Sequence, residues 1–138
     1  MLGPDDFRGT WQVSRVIADA ASGTQSLFAG IAEFSEQGTD QLAYREQGQM
    51  TLPDGTTLAA TRGYQWTFSK DRVWVGFEEG QPFHDFSPQG HEDGTEHLCI
   101  NDLYRVRYDF AAFPVWSATY RVTGPRKDYN LRSLYHRG

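Results

Sequence analysis

Phe7-Arg8-Gly9-Thr10-Trp11-Gln12-Val13-Ser14-Arg15-Val16-Ile17 is the stretch that decides how this 138-residue chain folds. Trp11, Val13, Arg15 and Ile17 fall on one side of a two-residue period, with Thr10, Gln12 and Ser14 on the other. Successive side chains of a strand point to opposite faces, so this is the pattern of a half-buried strand. Ahead of it, Pro4-Asp5-Asp6 predicts a single helical turn, because proline suits the first helical position and acids favour the positive N-terminal end.

The same alternation recurs along the chain. Leu42, Tyr44, Glu46 and Met50 oppose Arg45, Gln47 and Gln49. Within Leu58 to Ser69, Ala60, Arg62, Tyr64, Trp66 and Phe68 share a face. Val73, Val75 and Phe77 follow, then Tyr104, Val106, Tyr108 and Phe110, then Trp116, Ala118, Tyr120 and Val122, and last Tyr129, Leu131, Ser133 and Tyr135. Leu27 to Phe34 and Phe83 to Phe86 read as extended chain, and Gln37-Gly38-Thr39-Asp40, Pro53-Asp54-Gly55 and Lys70-Asp71 as turns. Ser87 to Thr95, polar and rich in glycine and acids, reads as the most mobile loop. Fourteen glycines and six prolines leave Thr95 to Phe113 as the longest stretch free of both, so long helices have almost nowhere to go. The expectation is all-β: residues 1–138 form a single domain, an antiparallel barrel of about 8–10 strands joined by short turns.

Charge and cysteine content narrow the function classes. Thirteen basic and 18 acidic side chains give a net charge of -5, which argues against nucleic acid or an anionic membrane as partner. No apolar run is long enough for a membrane span, and the acids that follow Met1-Leu2-Gly3-Pro4 do not suit a signal peptide. A cytoplasmic protein is expected. The single cysteine, Cys99, rules out an intramolecular disulfide framework. Edge pairing in a small barrel leaves room for a homodimer.

Several motifs together resemble a bacterial family of lipocalin-like domains of unknown function. They are Gly9-Thr10-Trp11, Tyr44-Arg45-Glu46-x-Gly48, Arg62-x-Tyr64-x-Trp66, Phe83-His84, His97-x-Cys99-x-x-Asp102-x-Tyr104 and Gly124-Pro125-Arg126-Lys127-Asp128-Tyr129. The last block is the most specific, and the resemblance spans nearly the whole chain. It implies a calycin-type barrel and no established activity. It also implies that Trp11 closes one end of the barrel, with a basic residue from the last strands over its ring; Arg126, Arg132 and Arg137 are the candidates. Haem-binding relatives extend the motif to Gly-x-Trp-x-Gly, where this chain has Val13. Fatty-acid-binding proteins hold a carboxylate with Arg-x-Tyr on a late strand, and Arg62-Gly63-Tyr64 has that spacing but lies mid-chain.

The inward faces are not purely apolar. Arg15, Glu46, Arg62 and Asp102 fall in register with the large aromatics of their own strands. A charge in a low-dielectric interior must be paired and hydrogen-bonded, which leaves two readings open. Either the four form a self-satisfied network, Arg15 with Glu46 and Arg62 with Asp102, or one or two arginines await a carboxylate or phosphate, which suits planar guanidinium. In the second case Tyr44, Tyr64, Trp66 and Tyr104 would wall the cavity. Glu46 and Arg62 sit on consecutive strands joined through Thr51 to Thr57, so they are expected inside and near each other. His84, beside Asp85, could serve as a general base at a cavity mouth.

His97, Cys99 and Asp102 offer nitrogen, sulfur and oxygen, but Asp102 is out of step with the other two, so no metal and no cofactor is expected. Arg126-Lys127-Asp128 reads as a salt-bridged turn or an anion contact. No phosphate-binding loop, zinc spacing or nucleophile elbow is present. Three functions stay in play: a protein binding a partly apolar, anionic small molecule; a small enzyme on a hydroxylated or aromatic substrate with Glu46, His84 or Asp102 moving protons; and a filled barrel serving interaction.

Overall fold

The computed structural model describes residues 1–99 and 101–137, and the side chains of all of these except residues 91–93 and 99. After a helical turn, α1 (Pro4–Phe7), come eleven strands: β1 (Gly9–Asp19), β2 (Thr24–Gly38), β3 (Gln41–Thr51), β4 (Thr57–Ser69), β5 (Arg72–Phe77), β6 (Pro82–Phe86), β7 (His91–Asp93), β8 (His97–Cys99), β9 (Asp102–Asp109), β10 (Trp116–Thr123) and β11 (Asp128–His136). Ten of them pair in the order β6-β5-β4-β3-β2-β1-β11-β10-β9-β7, and β8 pairs with β9 beside this path. Every pairing is antiparallel. The chain is all-β, a nearly closed barrel with the alternation that its sequence predicts.

One stretch departs from expectation. Ser87 to Thr95 is not all loop: it contains β7, paired with β9 through His91 opposite Asp109 and Asp93 opposite Arg107. The chain just beyond β7 then bridges the seam left between β6 and β9. Gly94 donates its N–H to the carbonyl of Val106 (2.7 Å), and Thr95 donates to the carbonyl of Asp85 (2.9 Å). The Thr95 hydroxyl accepts from the Asp85 N–H at 3.0 Å and donates to its carboxylate at 2.9 Å. Glycine and polar residues read as a loop from composition alone, yet here they are what lets the strand edges meet.

One end of the barrel is packed solid. Phe7, at the end of α1, is fully buried and touches Phe34, Trp66, Phe110, Phe113 and Trp116 with ring centroids 5.3–5.7 Å apart. Such edge-to-face pairs contribute about 0.5–1.5 kcal/mol each beyond the area they bury. Trp11 is also fully buried, and its indole N–H donates to the Phe7 carbonyl at 2.8 Å. Arg137 lies over the indole, 3.9 Å from the ring centroid, and donates to the carbonyls of Asp6 (2.8 Å) and Arg8 (3.2 Å). Arg126 and Arg132 are exposed, on the β10–β11 turn and on the outer side of β11.

Gly30 and Gly48 face each other across β2 and β3. A Cβ on Gly30 would stand 2.2 Å from the Gln47 carbonyl oxygen, and one on Gly48 would stand 2.2 Å from that of Ala29. No side chain fits at either position, so the two backbones approach as only paired glycines allow.

Candidate functional site

Above the aromatic plug the barrel interior becomes polar. Arg15 on β1 and Glu46 on β3 are buried and meet in a forked pair, with Nη1 to Oε2 at 2.6 Å and Nη2 to Oε1 at 2.9 Å. The remaining guanidinium donor, Nε, reaches the Ser133 hydroxyl of β11 at 2.7 Å. Tyr44 donates its hydroxyl to Glu46 Oε1 at 2.5 Å. Its oxygen is then the acceptor for the Tyr135 hydroxyl, 2.7 Å away. Burial alone would raise the Glu46 pKa, but the hydrogen bonds and charge of Arg15 hold it below the ordinary carboxylate value. Burial likewise opposes the charged guanidinium, and the bonds to Glu46 outweigh it, leaving the Arg15 pKa above its usual value. Burial pushes the pKa values of Tyr44 and Tyr135 up, so both remain neutral donors. Every charge in this layer is answered, and the residual space among these residues is about 10 Å³, roughly room for one water molecule.

Arg62 is different. It sits opposite Glu46 in the β3–β4 register, yet Glu46 is already taken by Arg15. The Arg62 guanidinium instead lies 5.5 Å from the ring centroids of Tyr64 on β4 and of Tyr120 on β10. Among the described residues it makes no hydrogen bond and has no carboxylate within 4 Å. Asp102, its expected partner, is instead paired with Lys127 at 3.0 Å. The cause is local: Gly124 lets the Asp102 carboxylate lie against the β10–β11 turn, where a Cβ would come within 2.1 Å of it. That gives the Gly124–Tyr129 block a physical role as a seat for Asp102.

Arg62 on β4 and Leu131 on β11 both line two recesses, which therefore flank this pair of side chains. On one side is a recess of about 260 Å³ lined by Arg62, Tyr64, Phe77, Phe83, Tyr104 and Tyr120, among others. On the other is one of about 170 Å³, bounded by Ile17, Phe28, Met50 and Ala60 together with Arg15, Glu46 and Arg62. The first is largely aromatic and the second largely aliphatic.

The remaining site candidates are dispersed. Trp66 belongs to the plug, in contact with Phe7 and Phe34. His84 is buried at the β6–β9 seam, not at the mouth, with Nε2 2.8 Å from the Tyr108 hydroxyl and Nδ1 without a hydrogen-bond partner. Burial lowers its pKa to about 3, so it is neutral near pH 7. Its neighbour Asp85 is paired with Arg72 at 2.6 Å. Among the described residues no three His, Cys, Asp or Glu side chains gather as metal ligands; the Cys99 side chain lies outside that set. Tyr120, Phe83 and Leu131 were not singled out from the sequence. Tyr120 on β10 and Leu131 on β11 share the inward parity of their strand neighbours, which is the available signal.

A family model described as a family of unknown function matches residues 7–137. No curated protein matches the chain by sequence. Among solved structures, an S-type phycobiliprotein lyase from Guillardia theta is similar with a TM-score of 0.66 at 10% identity, over 96% of this chain and 87% of the other. A protein of unknown function from the DUF3598 family, from Nostoc punctiforme, has a TM-score of 0.58 at 12% identity, over 98% of this chain and 48% of its own. At such identities the likeness is one of fold.

Proposed function

The chain belongs to a family of unknown function, DUF6314, and from that starting point we propose that it binds a small, partly apolar anion in the mouth of its barrel. The observation that carries this reading is Arg62, a guanidinium set across the mouth between two tyrosine rings with no carboxylate to answer it. Glu46 attracts both interior guanidiniums but bonds only Arg15, so these three groups carry one net positive charge in a protein whose net charge is -5. A monoanionic ligand balances it, and its apolar body has the two flanking recesses to occupy.

The groups that an acid–base enzyme would need are engaged elsewhere. Glu46 is held in its forked pair, His84 is buried against Tyr108, and Asp102 is bound to Lys127. Those engagements favour binding over proton transfer, and the open recesses favour it over a filled barrel serving only interaction. The test is a thermal melt with and without a deproteinised small-molecule extract of the protein's own source. The wild type should melt higher with the extract and Arg62→Met should not; equal shifts in both would refute the reading.

A further inference from the structure

Resting on that binding reading, we propose that the ligand is a flat aromatic carboxylic acid, with its ring in the larger recess and its carboxylate in the plane of the Arg62 guanidinium. Three observations define it. First, the recess of about 260 Å³ is just below the range of roughly 300–1,000 Å³ common for ligand pockets, so it suits a compact molecule. Second, its walls present flat faces in two orientations. Phe77 and Phe83 are nearly parallel at 4.8 Å, as are Tyr64 and Phe83 at 5.8 Å. Tyr104 and Tyr120 stand almost perpendicular to Phe83, at 87° and 76°. A planar ring can stack on the first set while meeting the edges of the second.

Third, the way inward is shut. Beneath Arg62 only about 10 Å³ remains, and Arg62 with Leu131 separates the two recesses. A long alkyl chain can neither run down the barrel axis nor pass from one recess to the other without displacing that bar. The Tyr64 and Tyr120 rings flank the guanidinium, leaving its planar fork to be met by two carboxylate oxygens.

Isothermal titration calorimetry with naphthalene-2-carboxylate, naphthalene-2-carboxamide and palmitate tests this. Expected are saturable binding of the naphthoate, at least ten-fold weaker binding of the carboxamide and of palmitate, and at least a ten-fold loss for naphthoate in Arg62→Met. Arg62→Lys, which keeps the charge but not the fork, should lose several-fold. Palmitate binding more tightly than naphthoate, in a way that Arg62→Met abolishes, would overturn the ligand class and leave the binding reading intact. The same class is overturned if naphthoate does not bind. Anion binding that is indifferent to Arg62→Met would overturn both.

Discussion

Replacing Arg15 by Met should be among the most damaging single changes in this barrel, and its cost should depend on pH in a characteristic way. The substitution removes two donors from Glu46, at 2.6 and 2.9 Å, and one from Ser133, at 2.7 Å. It leaves a carboxylate that is 3% exposed with the Tyr44 hydroxyl as its one remaining side-chain hydrogen bond and the Arg62 charge, on the facing strand, not bonded to it. Stranding a buried charge in this way costs about 3–5 kcal/mol. The carboxylate can escape by taking a proton, which at pH 7 costs about 1.4 kcal/mol for each unit above its ordinary pKa of roughly 4.3, or about 3.7 kcal/mol. At pH 5 that escape costs only about 1 kcal/mol. In the wild type the Glu46 pKa is depressed, so its contribution is fully present above about pH 4.3 and fades only as pH falls through the lower folded value. The gap between variant and wild type should therefore narrow from about 4 to about 1 kcal/mol between pH 7 and pH 5. Urea unfolding followed by tryptophan fluorescence at the two pH values measures it. The double variant Arg15→Met/Glu46→Leu should recover much of the loss and show no such pH dependence. A deficit below about 1 kcal/mol at pH 7 would refute the reasoning, as would one that stays constant with pH.

Two further outcomes follow from particular contacts. His84, with its pKa lowered to about 3 by burial, is bound to fewer protons when folded than when unfolded. Above about pH 6.5 the ring is neutral in both states and costs nothing, and stability should fall by roughly 1.4 kcal/mol per unit as pH drops from there toward 3. Nuclear magnetic resonance should show its ring untitrated at pH 5; a midpoint near 6.5 contradicts its burial. Gly48→Ala must push a Cβ to 2.2 Å from the Ala29 carbonyl, and should lose about 1–3 kcal/mol in a chemical melt; a neutral change would mean that β2 and β3 do not approach as described.

Much of the barrel was legible because strand parity is a strong constraint. Tyr44, Glu46, Arg62, Tyr64 and Trp66 are paired as consecutive strands demand, Glu46 opposite Arg62 and Tyr44 opposite Tyr64. A one-residue slip would have turned the aromatics outward. Parity says which side chains enter the barrel but not which of them meet. Arg15 and Glu46 are 31 residues apart and joined across β2, so only the barrel's curvature brings them together. The Arg62–Asp102 pair failed for a similar reason. Asp102 has the right strand, but it stands at the rim, where Gly124 and Lys127 offer a nearer seat. β7 was hidden because three residues between glycines carry no periodic signal. Arg137 could be named only as one of three arginines, since which of them covers Trp11 depends on where β11 ends.

The two interior arginines have separate tasks, Arg15 to hold Glu46 and Arg62 to receive an anion, and native mass spectrometry of wild-type and Arg62→Met protein purified from their own source tests this most directly. The wild type should carry a bound small molecule that negative-ion analysis of the released fraction identifies as an acid. The variant should fold with a stability within about 1 kcal/mol of wild type and appear at its bare chain mass. The same bound mass on both proteins, or a variant that unfolds as Arg15→Met does, would contradict the account.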